Sequence, residues 1–136
     1  MIEFDPVLLT GVETIDGQHR ELFLRVNRLI EASRARRSKE EVHHLLEFLG
    51  SYVVEHFASE ERTMAECAYP RIEGHVGEHR QFLRELETLR KEALRQGPTP
   101  LLVIHVTSRT TEWLREHIYR TDRLLGDWIR RNPPRS

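Results

Sequence analysis

The residues of this chain that could do chemistry are mainly its histidines, of which there are eight among 136 residues. Imidazole binds transition metals and exchanges protons near neutral pH, so the placement of these side chains decides what chemistry is available. Five of them recur at helical spacing from apolar residues, namely His19, His56, His75, His79 and His117. Glu60 follows His56 by four residues and shares its helix face. We therefore expect five imidazoles and one carboxylate to point into one core.

Buried groups of this kind need partners. An ionised carboxylate buried without a cation costs several kcal/mol. The surrounding core commonly satisfies one inward histidine, but five converging ones are best satisfied together by metal ions. Asp122 is the seventh candidate ligand, and it follows His117 by five residues, which is about 140° around a straight α-helix. A bulge or a helix end between Ile118 and Asp122 is therefore needed, and π-bulges are frequent at functional sites.

The number and type of these ligands indicate two metals. Seven nitrogen and oxygen ligands exceed one tetrahedral zinc site, and the single cysteine, Cys67, cannot supply a thiolate set. Five imidazoles, two carboxylates that each bridge both metals, and one solvent-derived oxo or hydroxo bridge fill all but one position of two octahedral metals. The remaining position is the size of a site for a small ligand such as O2. Imidazole-rich coordination favours iron among the redox metals.

Four helices must position these ligands. Apolar stripes predict a helix from His19 to about Ser33, a second capped by Ser38 and Glu41, a third whose first turn contains Pro70, and a fourth from Leu101. A short amphipathic segment, Leu124 to Ile129, follows. The prediction is an all-α, up-down-up-down four-helix bundle, which forms one domain over residues 1–136. We expect an irregular N-terminal arm at 1–17 and a frayed tail at 132–136.

Composition excludes several classes of protein. The chain has 21 basic and 22 acidic side chains, for a net charge of −1, which is unlike a nucleic-acid-binding protein. The longest apolar stretch, Leu101 to Val106, is too short to insert into a membrane. A lone cysteine and the lack of a secretory signal pattern lead us to expect a cytoplasmic protein, with Cys67 buried or half-buried.

Several motifs together resemble the bacterial members of the hemerythrin family. The resemblance extends from about Phe4 to Ile129, and Phe4 stands where many bacterial members have Trp. Any one motif is weak alone, but all seven ligand positions occur in order and at the family's spacing. The motifs are Ile15-Asp16-Gly17-Gln18-His19, His56-Phe57-Ala58-Ser59-Glu60-Glu61, His75-Val76-Gly77-Glu78-His79, and Trp113-Leu114-Arg115-Glu116-His117-Ile118 with Asp122.

The resemblance implies a cofactor of two iron ions (Fe2+/Fe3+) with an oxo or hydroxo bridge. It assigns His75, His79 and His117 to the filled iron and His19 and His56 to the iron with the open position. Glu60 and Asp122 would bridge the two. The implied function is reversible O2 binding by a carrier, store or delivery protein, not an enzyme. An oxidase or oxygenase would be the recipient, and the chain would be a monomer or a weak homo-oligomer.

Other functions stay open at this stage. The same site could act as an enzyme on peroxide, nitric oxide, nitrite or ferrous iron, as an O2 or redox sensor working through a separate partner, or as a metal store. Five neutral imidazoles with two carboxylates favour O2 binding over O2 activation. A ferritin-like centre is excluded because its Glu-x-x-His motifs must lie on two helices, whereas those ending at His43 and His44 share one turn.

The remaining candidates have structural explanations. We expect His43 and His44 to face solvent and His105 to be a packing or surface residue. Four apolar side chains adjoin the ligands in sequence and are hypothesised to line the O2 pocket and keep it dry, namely Leu114, Phe57, Trp113 and Ile118. Among them, we expect Leu114 to abut the open coordination position.

Overall fold

The protein is a bundle of four long α-helices with a fifth, short helix at its C-terminal end. The computed structural model describes residues 2–133. The α-helices are α1 (Glu13–Arg34), α2 (Lys39–Glu66), α3 (Ile72–Gln96), α4 (Pro100–His117) and α5 (Arg123–Arg131). A π-helical segment, Ile118–Asp122, joins α4 to α5, and a 3-10 turn, Pro6–Leu8, lies in the arm. No strand occurs over this described range, so the predicted all-α class is confirmed.

Short connections and local caps set the order of the helices around the bundle. Helix α1 packs against α2 and α4, and α3 packs against the same two helices, which closes the ring. Ser38 Oγ accepts a hydrogen bond from the amide of Glu41 at 3.1 Å, which confirms the predicted start of α2. Thr99 caps α4 in the same way through the amide of Leu102. Connections this short favour antiparallel neighbours, as in an up-down-up-down bundle.

The N-terminal arm is shorter than predicted, because α1 begins at Glu13 and not after residue 17. The buried carboxylate of Asp16 accepts hydrogen bonds from the amide and hydroxyl of Thr10, at 2.8 and 2.7 Å, and from the amide of Gly11 at 3.2 Å. These bonds hold the end of the arm against the first turn of the helix. Gly17 lies within the helix with open space around it, so it does not break the helix as its residue type suggested.

The start of α3 differs in detail from the prediction, and the last helix is slightly longer than predicted. Pro70 lies in a turn before α3, whose first residue is Ile72. The reason is that α2 ends at Glu66 and Ala68 then adopts a positive φ of 52°, which reverses the chain before the next helix can start. Helix α5 ends at Arg131, and residues 134–136 of the predicted frayed tail lie outside the described part of the chain.

The arm runs alongside α1 and meets α5 at the end of the bundle nearest the ligands. The side-chain amide of Asn27 donates to the carbonyl of Ile2 at 2.8 Å and accepts from its amide at 2.9 Å. At the other end of the arm, Gly126 of α5 lies so close to Thr10 that an added Cβ would meet the Thr10 carbonyl oxygen at 2.4 Å. A side chain at position 126 would therefore push the arm away from α5.

The interior of the bundle is apolar apart from the candidate ligands and a few threonines and Asp16. Cys67 is buried, as predicted, in a small cluster with Met64 and Tyr69, and burial raises the pKa of its thiol. Among the helices described, none combines the length and apolarity that crossing a membrane requires.

Candidate metal centre

The seven predicted ligands come from every part of the bundle and meet in its interior. One residue lies on α1, two on α2, two on α3, one at the end of α4 and one in the π-helical segment. None has more than 3% of its surface exposed. In order along the chain they are His19, His56, Glu60, His75, His79, His117 and Asp122. The structure thus brings together all seven of the ligands that the sequence predicted.

The seven side chains form two groups that share both carboxylates. One group contains His75, His79 and His117, and the other contains His19 and His56; Glu60 and Asp122 belong to both. Within each group the candidate ligand atoms all lie within 4.8 Å of one another. We call these groups the three-histidine half and the two-histidine half. A shared carboxylate has one oxygen for each of two neighbouring metals, so this arrangement suits a pair of ions.

Glu60 lies at the meeting point of α2 and α3. Its Oε1 is 2.8 Å from Nε2 of His75 and 3.2 Å from Nε2 of His79. Its Oε2 is 3.0 Å from Nε2 of His56, one turn earlier on the same helix. One carboxylate oxygen therefore faces the three-histidine half and the other faces the two-histidine half.

Asp122 occupies the corresponding position on the opposite side. Its Oδ1 is 3.0 Å from Nε2 of both His75 and His117, and its Oδ2 is 3.0 Å from Nε2 of His19. The π-helical segment makes this possible, because it inserts an extra residue per turn and brings Asp122 back to the face of His117. The predicted break between Ile118 and Asp122 is therefore confirmed.

The ionisation of the metal-free cluster follows from the close contact of imidazoles and carboxylates. Burial by itself lowers the pKa of a histidine, but the carboxylates of Asp122 and Glu60 outweigh it and raise the pKa of His19 to about 9. The same carboxylates raise the pKa of His75 to about 10. The pKa of His117 rises to about 9 for the same reason. Conversely, the imidazoles hold the pKa values of both carboxyls below their usual range despite burial.

The donor set fits two metal ions, because many of its atoms lie close to one another but make no hydrogen bond of acceptable geometry. Buried polar atoms in proteins nearly always have a hydrogen-bond partner. In the described part of the chain, ten buried side-chain atoms lack one, and eight of these belong to the cluster. Six of the eight are candidate ligand atoms, namely His19 Nε2, Glu60 Oε2, His79 Nε2, His117 Nε2 and both oxygens of Asp122. Metal ions would satisfy them.

Three polar side chains that the sequence reasoning did not assign hold the outer nitrogens of the histidines. His56 Nδ1 lies 2.6 Å from Oε1 of Gln18, and His79 Nδ1 lies 2.8 Å from Oε2 of Glu61. Such bonds fix the tautomer and the orientation of a ligating imidazole, and they leave Nε2 free for a metal.

The third of these side chains is Glu78, whose Oε1 lies 2.9 Å from Nδ1 of His117. Thr121 donates to both oxygens of Glu78, which ties α3 to the π-helical segment. Hydrogen bonding to His117 lowers the pKa of Glu78. Gln18, Glu61 and Glu78 are each adjacent in sequence to a candidate ligand, but each contacts a histidine on a different helix. Their position next to a candidate ligand was the signal that the sequence offered. It could not show which histidine on another helix each side chain contacts.

Two of the four side chains of the hypothesised lining stack on ligand histidines. The ring of Phe57 is parallel to that of His79, with centroids 3.9 Å apart, and the ring of Trp113 stacks on His117 at 4.3 Å. Both contacts involve the three-histidine half. Leu114 and Ile118 are buried in the same apolar core. A role of these residues in lining an O2 pocket stays a prediction.

The other three histidines lie outside the cluster. His43 is half-buried near Glu47 at 3.9 Å, and His44 is exposed and stacks on Phe48. His105 is exposed on α4. None of them belongs to a candidate metal group in the described residues. His44 and His105 are exposed, as expected, whereas His43 is only partly exposed to solvent.

The fold and the cluster define a class of protein, the four-helix bundles that build a metal site from inward side chains of facing helices. Comparison with known proteins gives the family. The Hemerythrin HHE cation binding domain matches residues 10–129, and the chain belongs to this family. The Methylococcus capsulatus bacteriohemerythrin is 33% identical over 118 residues, covering 86% of this chain and 87% of the relative.

Two further relatives support the same assignment. The Stenotrophomonas maltophilia bacteriohemerythrin is 26% identical over 120 residues, covering 88% of this chain and 76% of the relative. A crystal structure of wild-type hemerythrin superposes with a TM-score of 0.83 at 28% identity and covers 95% of this chain and 98% of that chain. The family resemblance inferred from the ligand motifs is thus confirmed.

Proposed function

We propose that the protein binds O2 reversibly at a di-iron centre and acts as an oxygen carrier, store or delivery protein. The observation that supports this most strongly is the division of five buried histidines into groups of three and two that share Glu60 and Asp122. With both carboxylates bridging, the two-histidine half has one ligand fewer. It is therefore the half in which we propose the open position.

The proposed ligands divide accordingly. His75, His79 and His117 would hold one iron, His19 and His56 the other, and the two carboxylates would bridge them. When bound, the two irons would supply the electrons and the open coordination position that reversible O2 binding requires. The oxo or hydroxo bridge between them is part of the same proposal.

The chain's own residues would orient the ligands and exclude water. Gln18, Glu61 and Glu78 fix three of the imidazole rings from behind. Phe57, Leu114 and Ile118 are at most 1% exposed, so the surroundings of the site are dry. A dry surrounding limits the entry of protons and anions that would make oxidation of the centre irreversible.

The proposal extends to the setting of the protein. We propose that it delivers O2 to an oxidase or oxygenase, works in the cytoplasm, and is a monomer or a weak homo-oligomer. The lone buried cysteine is compatible with a reducing compartment. Cell fractionation tests the location, and sedimentation analysis tests the oligomeric state.

Anaerobic loading with ferrous iron tests the function. The metal content is counted, and visible spectra are recorded through repeated addition and removal of O2. A carrier or store should hold two irons per chain and show a colour that appears with O2 and disappears when O2 is removed. Rapid conversion to an inert diferric form with turnover of added peroxide would instead indicate an enzyme. More than two irons per chain would indicate metal storage.

A further inference from the structure

The two halves of the centre differ in what lies behind their histidines. Behind the three-histidine half are two carboxylates, Glu61 at 2.8 Å from His79 and Glu78 at 2.9 Å from His117. Behind the two-histidine half is a neutral amide, that of Gln18 at 2.6 Å from His56. The outer nitrogens of His19 and His75 are buried and have no hydrogen-bond partner in the described part of the chain.

This difference has an electronic consequence. A carboxylate that accepts a hydrogen bond from Nδ1 draws that proton outward and increases the electron donation of Nε2. An amide oxygen orients the ring as well but has no net charge, so its effect on Nε2 is smaller. The three-histidine half therefore has two strengthened imidazoles and the two-histidine half has none.

We propose that Gln18, Glu61 and Glu78 are positioning residues that make the two metal positions unequal. Glu61 and Glu78 make the three-histidine half hold its iron tightly, and Gln18 keeps the two-histidine half the weaker, more exchangeable position. This inference rests on the proposed di-iron function and adds residues to it. The charge pattern leaves the more electron-poor iron at the half where the open position is proposed.

The geometry allows each residue to be exchanged without loss of its hydrogen bond. In Glu61→Gln and Glu78→Gln, the new amide oxygen can accept a hydrogen bond from the same imidazole. At position 78 it can also accept from the hydroxyl of Thr121, which donates to Glu78 at 2.9 Å in the wild-type protein. In Gln18→Glu, the carboxylate can accept from His56 and from the hydroxyl of Ser59, which lies 3.2 Å from the Gln18 amide. The three variants thus change charge while keeping shape.

The test is the release of iron from the diferrous, anaerobic holoprotein into an excess of a ferrous chelator. Release should occur in two phases of equal amplitude. Glu61→Gln and Glu78→Gln should each speed the slow phase about tenfold to a hundredfold, the range that loss of such a partner costs in metal affinity. Gln18→Glu should slow the fast phase by a similar factor. Glu66→Gln, which removes an exposed charge on α2, is the matched control and should change neither phase.

Gln18→Glu keeps the test specific, because a variant that merely damages the structure cannot bind a metal more tightly. The proposal is overturned if the exchanges at positions 61 and 78 affect both phases equally, or if Gln18→Glu leaves the fast phase unchanged. Fewer than two irons released per wild-type chain would instead contradict the proposed function itself. Thermal unfolding of each holoprotein confirms that the variants are folded.

Discussion

His117 and Asp122 are five residues apart, yet Nε2 of the histidine lies 3.0 Å from Oδ1 of the aspartate. An α-helix would leave their side chains on different faces, and the π-helical segment Ile118–Asp122 corrects this. The extra residue in this turn therefore has a function, which is to place the second shared carboxylate opposite Glu60.

Insertion of one alanine after Arg120 tests the importance of this spacing. Arg120 is exposed, and one further residue between His117 and Asp122 should rotate Asp122 by about 100° away from the cluster. We expect the iron content to fall from two per chain to one or none, as measured by elemental analysis of protein that remains helical by circular dichroism. Arg120→Ala, which keeps the spacing, should retain both irons. Two irons in the insertion variant would show that the spacing is dispensable.

Glu60→Gln tests the balance of charge in the metal-free cluster. In the metal-free protein, two buried carboxylates balance the protons that the imidazoles carry. The variant removes one of these two carboxylates. Removing one partner of a buried ion pair costs about 3–5 kcal/mol, so the free energy of unfolding of the metal-free protein should fall by about that amount. Urea denaturation measures it. The exposed Glu66→Gln should change stability by no more than about 0.5 kcal/mol, and an equally small effect at position 60 would contradict the account.

Metal binding should release protons, and its affinity should depend on pH. Contact with the carboxylates raises the pKa values of His19 and His117 to about 9 and that of His75 to about 10, so all three are protonated at pH 7 in the metal-free protein. A metal must displace these protons, because it binds the neutral imidazole. Apparent affinity should therefore rise with pH until about 9–10 and then level off. Calorimetry in buffers of different ionisation enthalpy counts the protons, and a count of zero would contradict this prediction.

Two glycines allow a matched test of how the arm packs against α5. An alanine at position 126 would place its Cβ against the backbone of Thr10, whereas nothing lies within 4 Å of a Cβ added at Gly50. Gly126→Ala should lower the free energy of unfolding by about 1–3 kcal/mol, as overpacking does. Gly50→Ala, in the middle of α2, should raise it by about 0.5–1 kcal/mol. Equal effects of the two substitutions in denaturant titrations would argue against the tight contact.

Leu114 tests whether the apolar surroundings protect the oxygenated protein. It is 1% exposed and precedes His117 by one turn. Leu114→Ala should open space for water and speed autoxidation, with a loss of about 2–5 kcal/mol in stability. Leu125→Ala, in the separate cluster near Cys67, should destabilise the protein similarly without changing the autoxidation rate. The lifetime of the oxygenated form is measured in both variants by visible absorption. An unchanged lifetime in Leu114→Ala would refute the prediction.

Much of the site could be predicted from the sequence because helical periodicity has a direct geometric meaning. His19, His56 and His79 each lie on the apolar face of a helix. Because that face packs against the core, a polar side chain on it also points inward. The same geometry showed that Asp122 needs a break in the helix, and the π-helical segment supplies it.

Features that depend on contacts between distant segments were not predictable. The pairing of Gln18 with His56 joins α1 to α2, and no periodicity along one helix encodes it. The start of α1 was misplaced for a similar reason, because the bonds that Asp16 accepts from Thr10 depend on how the arm folds back. Glycine and proline in the first 17 residues predicted irregular structure, but these tertiary contacts override that local preference.

The most direct test of the central claim is a measurement of O2 uptake and return by the iron-loaded protein. Protein holding two irons per chain is exposed to O2 in a sealed cell, and the gas taken up and then released under vacuum is quantified with an oxygen electrode. The account predicts one O2 taken up per chain, nearly all of it recovered as O2, over several cycles. Consumption of O2 without recovery, or uptake that persists in a Glu60→Gln, Asp122→Asn double variant, would contradict it.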